Sequence, residues 1–185
     1  MKNKLILIIL SLYTSFVTAQ NLPAAYSIMD MKTGNYYESY NSTAQRPIAS
    51  LTKLMTAYVF LRYIPDLENC ITNITQEDND NIKRTKTKLD KYEPISCKKL
   101  LQTMLISSDN GAAHALARSI PNLSYNGFIK LMNEQAREWS MLNTQFVDSS
   151  GLSPKNISTV NNLNMLLYQT SKIPLISYLS SIIMV

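Results

Sequence analysis

One histidine and two cysteines in 185 residues exclude a good deal. A zinc site takes three or four protein ligands, and His114, Cys70 and Cys97 cannot supply them without several carboxylates. No metal or other cofactor is implied. Charge of one sign is also scarce. The net charge of +5 includes Lys2 and Lys4; without them 16 basic side chains face 13 acidic ones, an excess of +3, too mild to argue for nucleic acid as a partner. The densest basic stretch, "IKRTKTKLDK" from Ile82 to Lys91, reads as a solvated loop or ribbon, with an anionic cell-envelope polymer as the alternative. The apolar run from Leu5 to Val17 follows two lysines, leads into Val17-Thr18-Ala19 and is too short for a comfortable membrane span. It reads as a secretory signal over residues 1–19, cleaved after Ala19, with an uncleaved anchor as the alternative, and the residue after Ala19 is Gln20, not a cysteine to carry a lipid. The expected mature chain, residues 20–185, is periplasmic or secreted and has no transmembrane helix after cleavage.

Export puts Cys70 and Cys97 where a disulfide persists. Nothing in the sequence fixes their distance, so bridged and free forms both stay open. Along the chain, "AYSIMDM" (25–31) and "YYESY" (36–40) flank the turn signal Lys32-Thr33-Gly34-Asn35, the pattern of a β-hairpin. Helix is expected from about Ser50 to Tyr63, stopping before Pro65. Residues 66–96 are polar and read as loop with short strands. Further helices are expected from Ser96 to about Ile106, from Asn110 to before Pro121, from Tyr125 to Trp139 and from Val160 to Gln169. Pro174 and the apolar tail "LISYLSSIIMV" follow. There is no internal repeat and no linker between domains.

The helix from Ser50 carries Leu51, Leu54, Met55, Ala57, Tyr58, Val59, Phe60 and Leu61, so it is apolar on most sides. A buried helix normally excludes lysine, because desolvating an ammonium costs several kcal/mol, yet Lys53 is there. Ser50 and Lys53 lie one turn apart on one face. A serine hydroxyl is a weak nucleophile until a base takes its proton, and burial plus a nearby helix N-terminus lowers a lysine's pKa enough to make it that base. The same helix start points N–H groups at the place where an oxyanion would develop. Alone, Ser-x-x-Lys also fits an N-capping serine and a snorkelling lysine. The second signal is "ISSDNGAA", in which Ser108-Asp109-Asn110 forms a turn between helices. It can hold a hydroxyl and a carboxamide against the first helix, or simply cap the next one.

Both motifs, in this order after an export signal, resemble those of penicillin-binding proteins and class A β-lactamases. Over the whole mature length, "DMKTGNYYESYNSTAQRPIASLTKLMTAYVFL" looks like the opening of the serine D-alanyl-D-alanine peptidases, the low-molecular-mass penicillin-binding proteins. "LQTMLISSDNGAAHALARSIP", "GFIKLMNEQAREWSMLNTQFVDSSGLSPKNIST" and "SKIPLISYLSS" are similar to the D-alanyl-D-alanine endopeptidase branch. The resemblance implies an α+β, β-lactamase/transpeptidase-like fold, a helical cluster with an antiparallel sheet. It implies Ser50 as acyl-enzyme nucleophile, Lys53 as its base, and Ser108 and Asn110 as catalytic and substrate-binding groups on the leaving-group side. The implied partners are peptidoglycan stem peptides or cross-links, with β-lactam antibiotics as acylating inhibitors.

The family's third motif, Lys-Thr-Gly on a sheet-edge strand, belongs downstream of Ser-x-Asn, and Val185 comes before it. Lys32-Thr33-Gly34 spells the same letters in a hairpin turn ahead of Ser50, and "TVNNLN" at 159–164 lacks the charged residues the family shows there. The expectation is the front part of such an enzyme, with later sheet strands missing. The alternatives are an inactive, truncated member or peptidoglycan-binding remnant. A class A β-lactamase is a lesser alternative, since its deacylation needs a glutamate after the second motif and Glu138 is the last in the chain. His114 as the base of a Ser-His pair is another, because a lone histidine on an alanine-rich helix is usually structural.

Overall fold

The computed structural model describes residues 24–80, 87 and 89–182; the expected signal segment 1–19 and most of the basic stretch 82–91 lie outside them. The hairpin forms from β1 (Tyr26–Met29) and β2 (Tyr36–Tyr40), antiparallel with Tyr26 opposite Tyr40 and a register shift between Ile28 and Met29. Its turn is closed by Asp30, whose Oδ1 accepts the Lys32 N–H at 2.7 Å, and by Gly34, which supplies φ +75°. Lys32-Thr33-Gly34 is thus an exposed turn.

A two-residue strand β3 (Arg46–Pro47) leads into a 3₁₀ turn, Ala49–Leu51, and then α1 (Thr52–Tyr63). The helix was expected to start at Ser50; Ser50 instead sits in the tighter turn ahead of it, and no side chain caps either start. α1 packs against five other helices, which is why its apolar residues are not confined to one stripe. Met55, Val59 and Phe60 are buried, each worth about 1.5–3 kcal/mol, and the single tryptophan, Trp139, meets Tyr58 edge-on at 4.4 Å.

The polar segment from 66 onward holds β4 (Ile71–Thr72), α2 (Gln76–Asp80) and β5 (Ile95–Ser96), with β4 and β5 antiparallel. α2 was not expected there. It is a single turn begun by a capping box, with Asp78 Oδ2 accepting the Thr75 N–H at 2.7 Å and Thr75 Oγ1 accepting the Asp78 N–H at 3.4 Å. Cys70 and Cys97 are joined by a disulfide, Cα to Cα 5.4 Å, so the question left open by the sequence resolves to the bridged form.

The remaining helices begin where polar caps were available: α3 (Cys97–Ile106) after Ser96, α4 (Asn110–Arg118) after Asp109, α5 (Tyr125–Glu138) after Ser124, and α6 (Val160–Ser171) after Thr159. Each cap oxygen accepts the N–H three residues on, at 2.9–3.2 Å. Before α6, β6 (Ile157–Ser158) pairs antiparallel with β3. The tail after Ile173 forms α7 (Pro174–Ser180), with proline at its first position. The result is an α+β fold: a helical cluster around α1, with β1–β2 packed on α6.

Candidate functional site

Ser50, Lys53, Ser108 and Asn110 meet. In the 3₁₀ turn, residues three apart eclipse, which places Lys53 Nζ 3.1 Å from Ser50 Oγ. The Ser108 hydroxyl donates to Ser50 Oγ at 2.9 Å, and Lys53 Nζ donates to Asn110 Oδ1 at 2.7 Å. Capping of α4 falls to Asp109, not Ser108, which leaves the Ser108 hydroxyl to Ser50. Ala49 and Ser108 both hold left-handed backbone, φ +46° and +55°. For residues with a Cβ this costs about 1–2 kcal/mol each, and the two strained positions lie on either side of the Ser50–Ser108 contact.

A fourth element joins them. The turn 148–153, between α5 and β6, brings the Ser150 carbonyl to 2.7 Å from Lys53 Nζ. One turn along α1, Thr56 Oγ1 donates to the Ser149 carbonyl, also at 2.7 Å. Gly151, at φ +84°, fits against Ala49 where any Cβ would fall 1.8 Å from the Ala49 carbonyl oxygen. Sequence reasoning gave this turn no role. "DSSG" was its one signal, an aspartate followed by a glycine three residues later.

Lys53 is 2% exposed while Ser50 and Ser108 are exposed, so the Ser50 hydroxyl faces solvent over a buried amine. Burial lowers the Lys53 pKa to about 8, with the charges of Asp148 and Asp109 partly holding it up. As an ammonium, Nζ has three hydrogens for three acceptors. As a neutral amine it has two. The Asn110 and Ser150 oxygens can only accept, so both hydrogens stay on them and the lone pair faces Ser50, whose hydroxyl can donate. The arrangement suits proton abstraction from Ser50.

His114 sits elsewhere. Its Nδ1 lies 2.7 Å from Asp78 Oδ1 and its ring stacks on Tyr125 at 4.2 Å. Arg118 Nε and one terminal nitrogen donate to the same carboxylate at 2.8 and 2.7 Å. Burial pushes the Asp78 carboxyl up, but the hydrogen bonds from His114, Arg118 and the Thr75 N–H, with the Arg118 charge, outweigh it and hold the group well below the usual carboxylate range. Tyr125 Oη in turn accepts the Ser149 N–H at 3.1 Å. The histidine thus braces α2, α4 and α5 behind the turn, and Lys53 holds the place beside Ser50 that a base must take.

A buried lysine turned on a serine, with Ser-x-Asn across from it, is an arrangement suited to acyl transfer through that serine. The model of the D-alanyl-D-alanine carboxypeptidase family, peptidase family S11, matches residues 15–182, and the chain belongs to that family. Among curated proteins it is similar to the D-alanyl-D-alanine endopeptidase of Haemophilus influenzae, 50% identical over 157 residues that cover 85% of this chain and 52% of that protein. The Escherichia coli D-alanyl-D-alanine endopeptidase is 39% identical over 155 residues, covering 83% and 49%. The chain therefore spans about half the length of these relatives. Among solved structures, the D-alanyl-D-alanine carboxypeptidase DacD of Francisella tularensis superposes with TM-score 0.76 at 26% identity, over 84% of this chain and 38% of that one. The Streptomyces K15 DD-transpeptidase gives TM-score 0.74 at 24% identity, over 82% and 61%, a likeness of fold alone.

Proposed function

We propose that this chain carries the nucleophile and base of a serine D-alanyl-D-alanine peptidase acting on peptidoglycan stem peptides or cross-links, exported to the periplasm or beyond after loss of residues 1–19. The observation that carries this is the Lys53 amine, buried and held 3.1 Å from Ser50 Oγ with two acceptor-only oxygens at its other hydrogens. Ser50 Oγ attacks the carbonyl carbon of a D-alanyl peptide bond as its proton passes to Lys53 Nζ. The tetrahedral intermediate collapses, the C–N bond breaks, and the Ser108 hydroxyl hands its hydrogen to the leaving amine and regains one from Lys53. Water then attacks the Ser50 ester and gives a proton to Lys53, which returns it to Ser50 Oγ as the ester C–O bond breaks and the peptide acid leaves. Asn110 holds the substrate amide and the amine. β-Lactams stop the cycle at the ester. The names of the relatives support the endopeptidase form of this reaction, cutting cross-links.

The test is the mature chain incubated with purified cross-linked muropeptides, followed by chromatography. Conversion of dimers to monomers, lost in Ser50→Ala, is expected. Release of free D-alanine without loss of dimers would move the assignment to a carboxypeptidase. A folded chain that does neither contradicts the proposal and favours a non-enzymatic peptidoglycan-binding role.

A further inference from the structure

The turn that reaches Lys53 is organised by one side chain. Asp148 Oδ1 accepts the N–H groups of Ser150 at 2.8 Å and Gly151 at 2.6 Å and the Ser150 hydroxyl at 3.0 Å, while Oδ2 accepts the Ser153 N–H at 2.8 Å. Behind it, Asn156 Oδ1 accepts the Val147 and Asp148 N–H groups at 2.7 and 3.3 Å. A carboxylate taking three backbone donors from residues 150, 151 and 153 fixes the peptide planes between them, and the Ser150 carbonyl lies inside that span. Its oxygen is one of the two that direct the Lys53 lone pair.

We propose that Asp148 is a positioning residue for the Lys53 base: it folds the 148–153 turn so that the Ser150 carbonyl takes one hydrogen of Nζ and the lone pair turns to Ser50. The proposal deepens the reading of Ser50 and Lys53 as nucleophile and base and rests on it. The charged and titratable groups facing Lys53 come from three elements. The turn brings Asp148, the start of α4 brings Asp109, and farther back stand Tyr125 of α5 and His114 of α4, the latter held by Asp78. Asp148 therefore acts on Lys53 twice, through its charge and through the carbonyl it places.

Those two effects separate by substitution. Asp148→Asn removes the charge but keeps an Oδ1 to accept from Ser150 and Gly151; Asp148→Ala removes both. The ¹³Cε resonance of labelled Lys53 is titrated in the mature chain and both variants, beside the rate of acylation by a fluorescent penicillin against pH. The wild-type midpoint is expected near 8. It should fall by on the order of half a pH unit in Asp148→Asn and further in Asp148→Ala. The acylation plateau should hold within about threefold in the first and drop about 30-fold or more in the second, the scale of a misplaced catalytic group. Identical midpoints in the two variants, or an Asp148→Ala plateau within about threefold of the Asp148→Asn one, overturn the proposal. If the alanine variant does not fold, Asp148→Ser, uncharged and too short to reach all three N–H groups, replaces it in both comparisons. A wild-type chain that takes no penicillin while its Lys53 midpoint still falls further in Asp148→Ala than in Asp148→Asn would defeat the functional reading and leave the positioning role standing.

Discussion

Gly151→Ala is the smallest change that tests whether the 148–153 turn belongs to the site. The new Cβ would start 1.8 Å from the Ala49 carbonyl oxygen and 2.3 Å from its carbon, and both are backbone atoms with no rotamer to escape into. Restoring van der Waals separation asks Ala49 or the turn to retreat by on the order of 1.5 Å. The left-handed conformation at φ +84° adds about 1–2 kcal/mol for any residue with a Cβ. Ala49 directly precedes Ser50, and the turn carries the Ser150 carbonyl, so either retreat pulls Ser50 Oγ away from Lys53 Nζ. A displacement of about 1 Å at a reacting group is worth about 100-fold in rate. Acylation of the mature chain by a fluorescent penicillin, timed by quenched-flow and gel, should therefore slow by about 100-fold or more, while the melt drops but stays cooperative. An alanine variant that acylates within about threefold of wild type would refute the claim that this contact sets the Ser50–Lys53 geometry.

Three further outcomes follow from the same structure. Acylation needs the neutral amine, so its rate should climb with pH through a midpoint near 8 and level off above it; because the folded lysine titrates at about 8 and the unfolded one near 10.5, stability should also rise between those values, and a rate flat from pH 6 to 10 contradicts the base assignment. Asp78→Asn strips the buried partner of His114 and Arg118 and should cost about 3 kcal/mol in urea unfolding; as the Asp78 carboxyl is held low in the fold, the wild type should lose this stabilisation as pH falls below the ordinary carboxylate range, and an acid limb identical in both proteins contradicts it. Cys97→Ser opens a crosslink spanning 27 residues, and the loop entropy released to the unfolded chain corresponds to about 3.5 kcal/mol; a melt unchanged by the substitution or by reductant contradicts that value.

What could be read from the sequence was local. Ser50 and Lys53 lie within one turn, and Ser108 and Asn110 bracket a helix cap, so both pairs leave a mark at short spacing. The helices after Ser96, Asp109, Ser124 and Thr159 were legible through their caps and apolar period. The Ser150 contact was not, because it joins residues 97 apart through a backbone oxygen, an atom every residue has. The β3–β6 pair escaped because two-residue strands carry no alternation, and α2 because a single turn in a polar stretch shows only its capping box. α7 was not expected in the tail after Ile173, although proline suits the first position of a helix. His114 could be seen as unpromising for chemistry, but its partner Asp78 lies 36 residues away in a segment with no other signal.

Ser50, activated by Lys53, is proposed as the residue that accepts an acyl group. Intact-mass analysis of the mature chain after exposure to benzylpenicillin at pH 8.5, followed by peptide mapping, tests it most directly. The expected result is a single penicilloyl adduct on the peptide containing Ser50, absent in Ser50→Ala and strongly slowed in Lys53→Arg, where the guanidinium keeps its proton. A folded chain that takes no adduct, or carries it on another residue, contradicts the account.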